Sequence, residues 1–382
     1  METHGSSRYL LALAAMIVAG FVLIASAVAI VNPFGLMPFA PTISGFNTTK
    51  AARNERDRLI KRYDVASLRP KTVIVGTSRV KFAFDPEKVG GPFAPAYNAG
   101  IDALLISEAR HLLEGYVRDG VPIKHVFFEL FLFQFFHSWP GRQHDTLIGR
   151  DNTFADLLST TISGGAVRAA METLSASRAS EVVATQKNGF RPIEVVATQK
   201  NGFRPIAWPH NGVGFVPNQW LASMRKKVES SSENKMFAPD PPVSLLRDEA
   251  FSDLAKIVEL CNAHNIDLRF FIGPLHPVFA YTQGKVLLHE WLRRISTMPQ
   301  VISFLTTPEF RDYELTRPKL YYSDYSHVSF AAGELMISDL MAYPNLRYGR
   351  VLNSTTLPEI IAEWDDQLSA WAKLNSDFVF LH

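Results

Sequence analysis

Between Tyr9 and Val31 the chain runs YLLALAAMIVAGFVLIASAVAIV without one charged side chain. Such a run has few structural options. In an apolar medium each backbone N–H and C=O needs a partner, and a single continuous segment supplies them only as a helix. At about 1.5 Å per residue, that helix crosses a hydrocarbon core of about 30 Å. The small residues of ASAVA (25–29) keep a cleaved signal peptide open as a rival. The run is longer than the apolar core of such a peptide, so an uncleaved single-pass anchor is expected, with membrane contact through residues 9–31.

Orientation is argued from flanking charge. Arg8 and the amino terminus precede the run, offset by Glu2, and KAARNERDRLIKR (50–62) follows with six basic residues. That cluster starts nearly 20 residues past the anchor, where the bias of positive charge on topology fades. It also carries Glu55 and Asp57 and has the pattern of an amphipathic helix. The expectation is an amino terminus inside and the bulk of the chain outside.

Beyond the anchor, Asn32 to Thr49 is uncharged and rich in Pro, Gly and Thr, the composition of a spacer. Short apolar runs then alternate with helical patterns. TVIVG (72–76), HVFFEL (125–130), DLRFFIG (267–273) and VISFL (301–305) read as strands buried on both faces, and PAYNAG (95–100) as a shorter one. Between them, 102–120 and 248–265 repeat apolar residues at three- and four-residue spacing and stop at Gly or Asn. This alternation predicts an α/β fold, a parallel sheet with helices on both faces, whose reactive groups gather at the carboxyl ends of the strands.

From 151 to 246 the pattern lapses. The segment contains EVVATQKNGFRPI twice in tandem, at 181–193 and 194–206. Two copies do not make a solenoid, and a duplication inside a surface insertion is the plain reading. The expected division is an anchor (1–31), a spacer with a juxtamembrane helix (32–68), a first part of the α/β domain (69–150), the insertion (151–246) and a second part (247–382).

Composition excludes several functions. Lys and Arg number 39 against 37 Asp and Glu, which gives no field suited to nucleic acid. The single cysteine, Cys261, rules out an internal disulfide and a cysteine-built metal site. No phosphate loop, dinucleotide fingerprint or zinc spacing is present, so neither cofactor nor metal is expected.

Ser78, in KTVIVGTSRV (71–80), falls at the tip of the first strand. It reads either as a nucleophile or as the polar cap of a helix. A nucleophilic serine needs a base, and the base an orienting group. YYSDYSHVSFAAGELMI (321–337) offers Asp324 three residues before His327, just ahead of a helix. There the carboxylate can hold one ring nitrogen while the other faces a serine. A capping Asp with an incidental His is the competing reading.

Taken in order, IVGTSR, YNAGI and DYSH resemble the SGNH (GDSL-like) hydrolase superfamily. The likeness is nearest to its membrane-anchored members among bacterial cell-surface polysaccharide proteins, such as alginate-acetylation proteins and the D-alanine transfer protein of teichoic acid synthesis. It covers roughly 70–130 and 265–345. The resemblance implies a doubly wound, flavodoxin-like parallel sheet of about five strands. It implies Ser78 as nucleophile, His327 as base, Asp324 as orienting acid, and the N–H groups of Ser78 and Gly100 as an oxyanion hole. The third block departs from the family: where Gly-x-Asn-Asp is usual, FFELFLFQFF (127–136) has no Asn. Asn98 and Gln134 are the two candidate substitutes.

Arg79, Glu129, Gln134 and His276 complete the candidate substrate-contacting residues. Arg79 reads equally well as a salt-bridged residue at a helix start, and Glu129 as one member of a buried structural pair whose partner the sequence does not name. The implied activity is a serine esterase or O-acyltransferase acting on a carbohydrate polymer at the outer side of a bacterial cytoplasmic membrane. Membrane-embedded acyl-donor or polysaccharide-assembly proteins would be its partners. The rival is an accessory protein that keeps the fold and binds glycan or an assembly partner without catalysis.

Overall fold

The computed structural model describes residues 3–37, 40–136, 153–178, 243–277, 284–311 and 327–374. The duplication at 181–206 and Asp324 lie outside these residues. In chain order the helices are α1 (Thr3–Val31), α2 (Asp57–Leu68), α3 (Ser78–Ala83), α4 (Ile106–Arg118) and α5 (Thr153–Thr161). They continue with α6 (Gly164–Arg178), α7 (Asp248–Ala263), α8 (Lys285–Ile295), α9 (Phe330–Ala342) and α10 (Leu357–Leu374). The strands are β1 (Thr72–Gly76), β2 (Ala96–Gly100), β3 (His125–Glu129), β4 (Asp267–Ile272), β5 (Val301–Ser303) and β6 (Arg350–Leu352).

The chain divides into two units, one built from 1–64 and 146–185, the other chiefly from 65–145 and 204–382. In the first unit, α1 is long and apolar enough to be a candidate membrane span from Arg8 to Val31. Its large side chains from Tyr9 to Ile24 point outward, whereas Val28 and Val31 are buried. Phe34, Ala52, Ile60 and the α6 alanines Ala166, Ala169 and Ala170 cover them. The alanines let two helices approach closely where bulkier residues would hold them apart. The carbonyl end of α1 is closed by cations: Lys50 Nζ donates to Asn32 O at 2.7 Å and Arg53 Nη1 to Phe34 O at 2.7 Å. Positive charge there complements the helix dipole. Burial, and then the neighbouring Arg53, pull the Lys50 pKa down to about 8.

The second unit is α/β, around one six-stranded sheet of order β2-β1-β3-β4-β5-β6. The strands β1 to β5 pair in parallel. This corrects the expected five-stranded, wholly parallel sheet: β6 joins the edge antiparallel to β5, with Val301 opposite Leu352. The first five strands follow the doubly wound order 2-1-3-4-5, which reverses beside β1; in sheets of this kind the carboxyl ends of the strands at the reversal are where ligands bind.

Both sheet faces are covered. Ile74, Phe127, Phe271 and Ile302 form one face and pack with Val80 and Phe84 of the α3 segment and Met336 and Leu340 of α9. Val73, Val75, Val126, Phe128 and Phe270 alternate with them on the other face and are equally inaccessible. That double burial explains why these strands read as unbroken apolar runs.

Candidate functional site

The site is assembled where β1 turns into α3. Thr77 is the N-cap, with extended backbone, and its side chain accepts the Arg79 N–H at 3.3 Å. Ser78 is therefore the first helical residue, with its hydroxyl at the carboxyl edge of the sheet. The capping role weighed for Ser78 falls to its neighbour Thr77. Ser78 Oγ lies 2.8 Å from His327 Nε2, across 249 residues of sequence. His327 is 6% exposed and Ser78 half-buried, so the pair is shielded yet reachable.

The imidazole is packed against α3 and placed by the start of α9. The Phe82 ring, one turn along α3 from Ser78, meets it edge-on at 5.8 Å between centroids. His327 also stands just ahead of α9, whose N-cap Ser329 accepts the Ala332 N–H at 3.3 Å. The position of α9 is set by Gly333. A Cβ there would come within 1.8 Å of the Ala83 carbonyl oxygen and 2.6 Å of its carbon. The backbone of α9 thus lies directly on the end of α3, and the two helices bring base and hydroxyl together.

Beneath Ser78 a buried latch joins three strand tips. Glu129, at the end of β3, accepts the Thr77 N–H (2.8 Å) and hydroxyl (2.9 Å) on one oxygen and Arg79 Nε (2.8 Å) on the other. Arg79 Nη2 donates to Pro274 O, beyond β4, at 2.7 Å, and the guanidinium stands 4.9 Å from the centroid of the Phe131 ring. The two side chains are 3% and 2% exposed. Both were candidates to touch substrate; their burial and mutual engagement make them a structural pin. An unpaired charge at this depth would cost several kcal/mol, so each requires the other.

The expected oxyanion donors need a similar correction. Asn98 is inaccessible: its Nδ2 donates to Val80 O (2.8 Å) and Phe84 O (2.7 Å), and its Oδ1 accepts the Gly100 N–H at 2.9 Å. The Gly100 amide is already occupied, and Asn98 fastens the end of α3 to β2. Gly100 matters sterically, because a Cβ there would lie 2.4 Å from Lys81 N. Gln134 differs. It is fully buried, its Oε1 accepts the Phe131 N–H at 2.7 Å, and its Nε2 meets no acceptor among the described residues. His276 is also fully buried, its ring edge-on to Trp371 at 6.1 Å, which places it in the interior.

Sequence reasoning did not single out Thr77, Phe82, Gly333 or the pair formed by Lys81 Nζ and Asp102 Oδ2 at 3.1 Å. Lys81 is 1% exposed and Asp102 57%. The positions of Lys81 and Phe82, three and four residues after Ser78 on one helix face, were a readable signal. The contact at Gly333 was not.

Chemically, a hydroxyl facing a ring nitrogen at hydrogen-bond distance can pass its proton to that nitrogen and attack an electrophilic carbon. Among the described residues no group of three His, Cys, Asp or Glu side chains is disposed to hold a metal ion. Burial pushes the Cys261 thiol up to about 12, so it is no nucleophile at neutral pH. No protein-family model matches this chain, and no curated protein is significantly similar to it.

Proposed function

We propose that the protein is a membrane-anchored serine esterase or O-acyltransferase of the SGNH type, acting on an acylated or acyl-accepting cell-surface or exported polysaccharide. The observation that carries the reading is the 2.8 Å contact between Ser78 Oγ and His327 Nε2. The order of the IVGTSR and DYSH motifs along the chain adds support. In this reading α1 anchors the chain in a bacterial cytoplasmic membrane with the α/β unit on the outer side, where such polymers emerge.

The reaction runs in two halves. His327 Nε2 takes the Ser78 proton as Oγ bonds to the ester carbonyl carbon. The carbonyl electron pair moves onto oxygen, facing the Ser78 N–H, which as the first amide of a helix has no intrahelical acceptor. Gln134 Nε2 is the second donor in this scheme, and each such donor is worth about 3 kcal/mol of barrier. Collapse of the intermediate breaks the ester C–O bond, and the imidazolium returns its proton to the departing alkoxide. The acyl-serine is then attacked by water or a sugar hydroxyl, which loses its proton to the same nitrogen, and Ser78 recovers its own. Asp324 is the proposed orienting acid for His327.

A second reading, a non-catalytic glycan- or partner-binding accessory protein, draws on the occupied amide of Gly100. Turnover of p-nitrophenyl acetate and of an O-acetylated polysaccharide by the full chain separates the two. The enzyme reading expects Ser78→Ala and His327→Ala each to lower the rate by about 10²–10⁴-fold. Equal turnover by wild type and Ser78→Ala rejects it.

A further inference from the structure

In the first unit, α5 ends beside the foot of α1: Thr160 and Thr161 line a small cleft with Val28, Ala29, Asn32 and Pro33. The position of that foot relative to a bilayer follows from helix geometry. Val28 lies 20 residues past Arg8, the charged residue that precedes the apolar run, and 20 residues of helix rise about 30 Å, one hydrocarbon thickness. One face of α1 becomes buried at the same height, while Ile30 on another face stays 53% exposed. Leu23 is 70% exposed and Ile24 48%, whereas Val28 and Val31 are 4% and 5%. The end of α5 therefore stands level with the boundary between acyl chains and headgroups.

At that level the end of α5 turns apolar side chains outward, at Leu158 and at Ile162 just past its last residue. Leu158 is 37% exposed and Ile162 40%. They sit one turn apart on one face, with the Ile162 N–H bonded back to Leu158 O at 2.9 Å. Single exposed apolar residues are ordinary on a soluble surface; a stacked pair at the height where a membrane span ends has a natural covering. We propose that Leu158 and Ile162 insert into the headgroup–acyl boundary of the membrane that α1 crosses, making α5 a lipid-facing foot of this unit. The occupant is lipid, and the inference rests on α1 being a span. Its consequence is that the first unit is held to the bilayer at two points, α1 and α5, which limits its rotation about the α1 axis.

The test uses the full chain in phosphatidylcholine–phosphatidylglycerol vesicles, with a bimane fluorophore placed by Leu13→Cys, Leu158→Cys, Ile162→Cys or Asp366→Cys. Native Cys261 is buried and does not label. Quenching is read from aqueous iodide and from lipids bearing a nitroxide high on the acyl chain. The expected result is lipid quenching at 13, 158 and 162. Iodide quenching at 158 and 162 should be about fivefold weaker than at 366, as for a site about 5–10 Å below the headgroup surface. Two cysteine positions on α5 guard against local disruption by one of them. Lipid quenching at 13 with 158 and 162 as open to iodide as 366 overturns the inference and leaves the span intact. Shielding of 158 and 162 from both quenchers also overturns it, since protein then covers the face. Absence of lipid quenching at 13 overturns the span and the inference together.

Discussion

Gly333→Ala tests how the hydroxyl and the base are brought together. The added methyl would sit 1.8 Å from the Ala83 carbonyl oxygen, well inside the 3.4 Å at which ordinary contact begins. The obstacle is main chain, so no rotamer change relieves it, and α9 has to move off α3 by roughly 1.5 Å, an overpacking that costs about 1–3 kcal/mol. His327, three residues ahead of α9, travels with the helix, and the 2.8 Å contact with Ser78 opens past hydrogen-bond range. A displacement of about 1 Å at reacting groups costs about 10²-fold in rate. The assay is the rate at which a fluorophosphonate labels the full chain in detergent, with circular dichroism and urea unfolding followed in parallel. The expected outcome is a folded, modestly destabilised protein labelled about 10²-fold more slowly. Wild-type labelling in a variant of wild-type stability would refute the packing argument.

Three further outcomes follow from the same contacts. Glu129→Ala leaves the Arg79 guanidinium buried without its carboxylate and should cost about 3–5 kcal/mol in urea unfolding; a substrate-binding role would instead raise KM with stability intact. Asn98→Ala strips partners from Val80 O, Phe84 O and the Gly100 N–H, and is expected to lower stability by about 2–4 kcal/mol, since each orphaned buried group costs about 1–3 kcal/mol and such losses are not fully additive. With its thiol pushed up to about 12 by burial, Cys261 should resist iodoacetamide from pH 7 to 9 in the folded chain and react only on unfolding; rapid native alkylation would contradict its place in the α7 core.

How much of this was legible in the sequence depended on whether a feature is local. TVIVG and HVFFEL announced themselves because strands buried on both faces need apolar side chains at every position. β6 did not, since Arg350 to Leu352 is a three-residue antiparallel edge with no run long enough to register. Ser78 and His327 were singled out by their motifs and chain order, and the structure sets them 2.8 Å apart. Gly100 and Asn98 were misjudged as oxyanion donors because motif position says where an amide lies, not whether a side chain such as Asn98 has taken it. The residues 153–178 looked merely polar and small, yet Ala166, Ala169 and Ala170 are what α6 needs to lie against α1. Gly333, in a plain apolar helix, gave no hint of the backbone it touches.

The proposed chemistry depends on Ser78 being an activated nucleophile with His327 as its base. Mass mapping of a fluorophosphonate adduct tests it most directly, on wild type, Ser78→Ala and His327→Ala side by side. One adduct is expected on the wild-type peptide carrying Ser78, none in Ser78→Ala, and labelling slowed by about 10²–10⁴-fold in His327→Ala. A wild-type chain that stays unlabelled, or one labelled equally fast without His327, would contradict it.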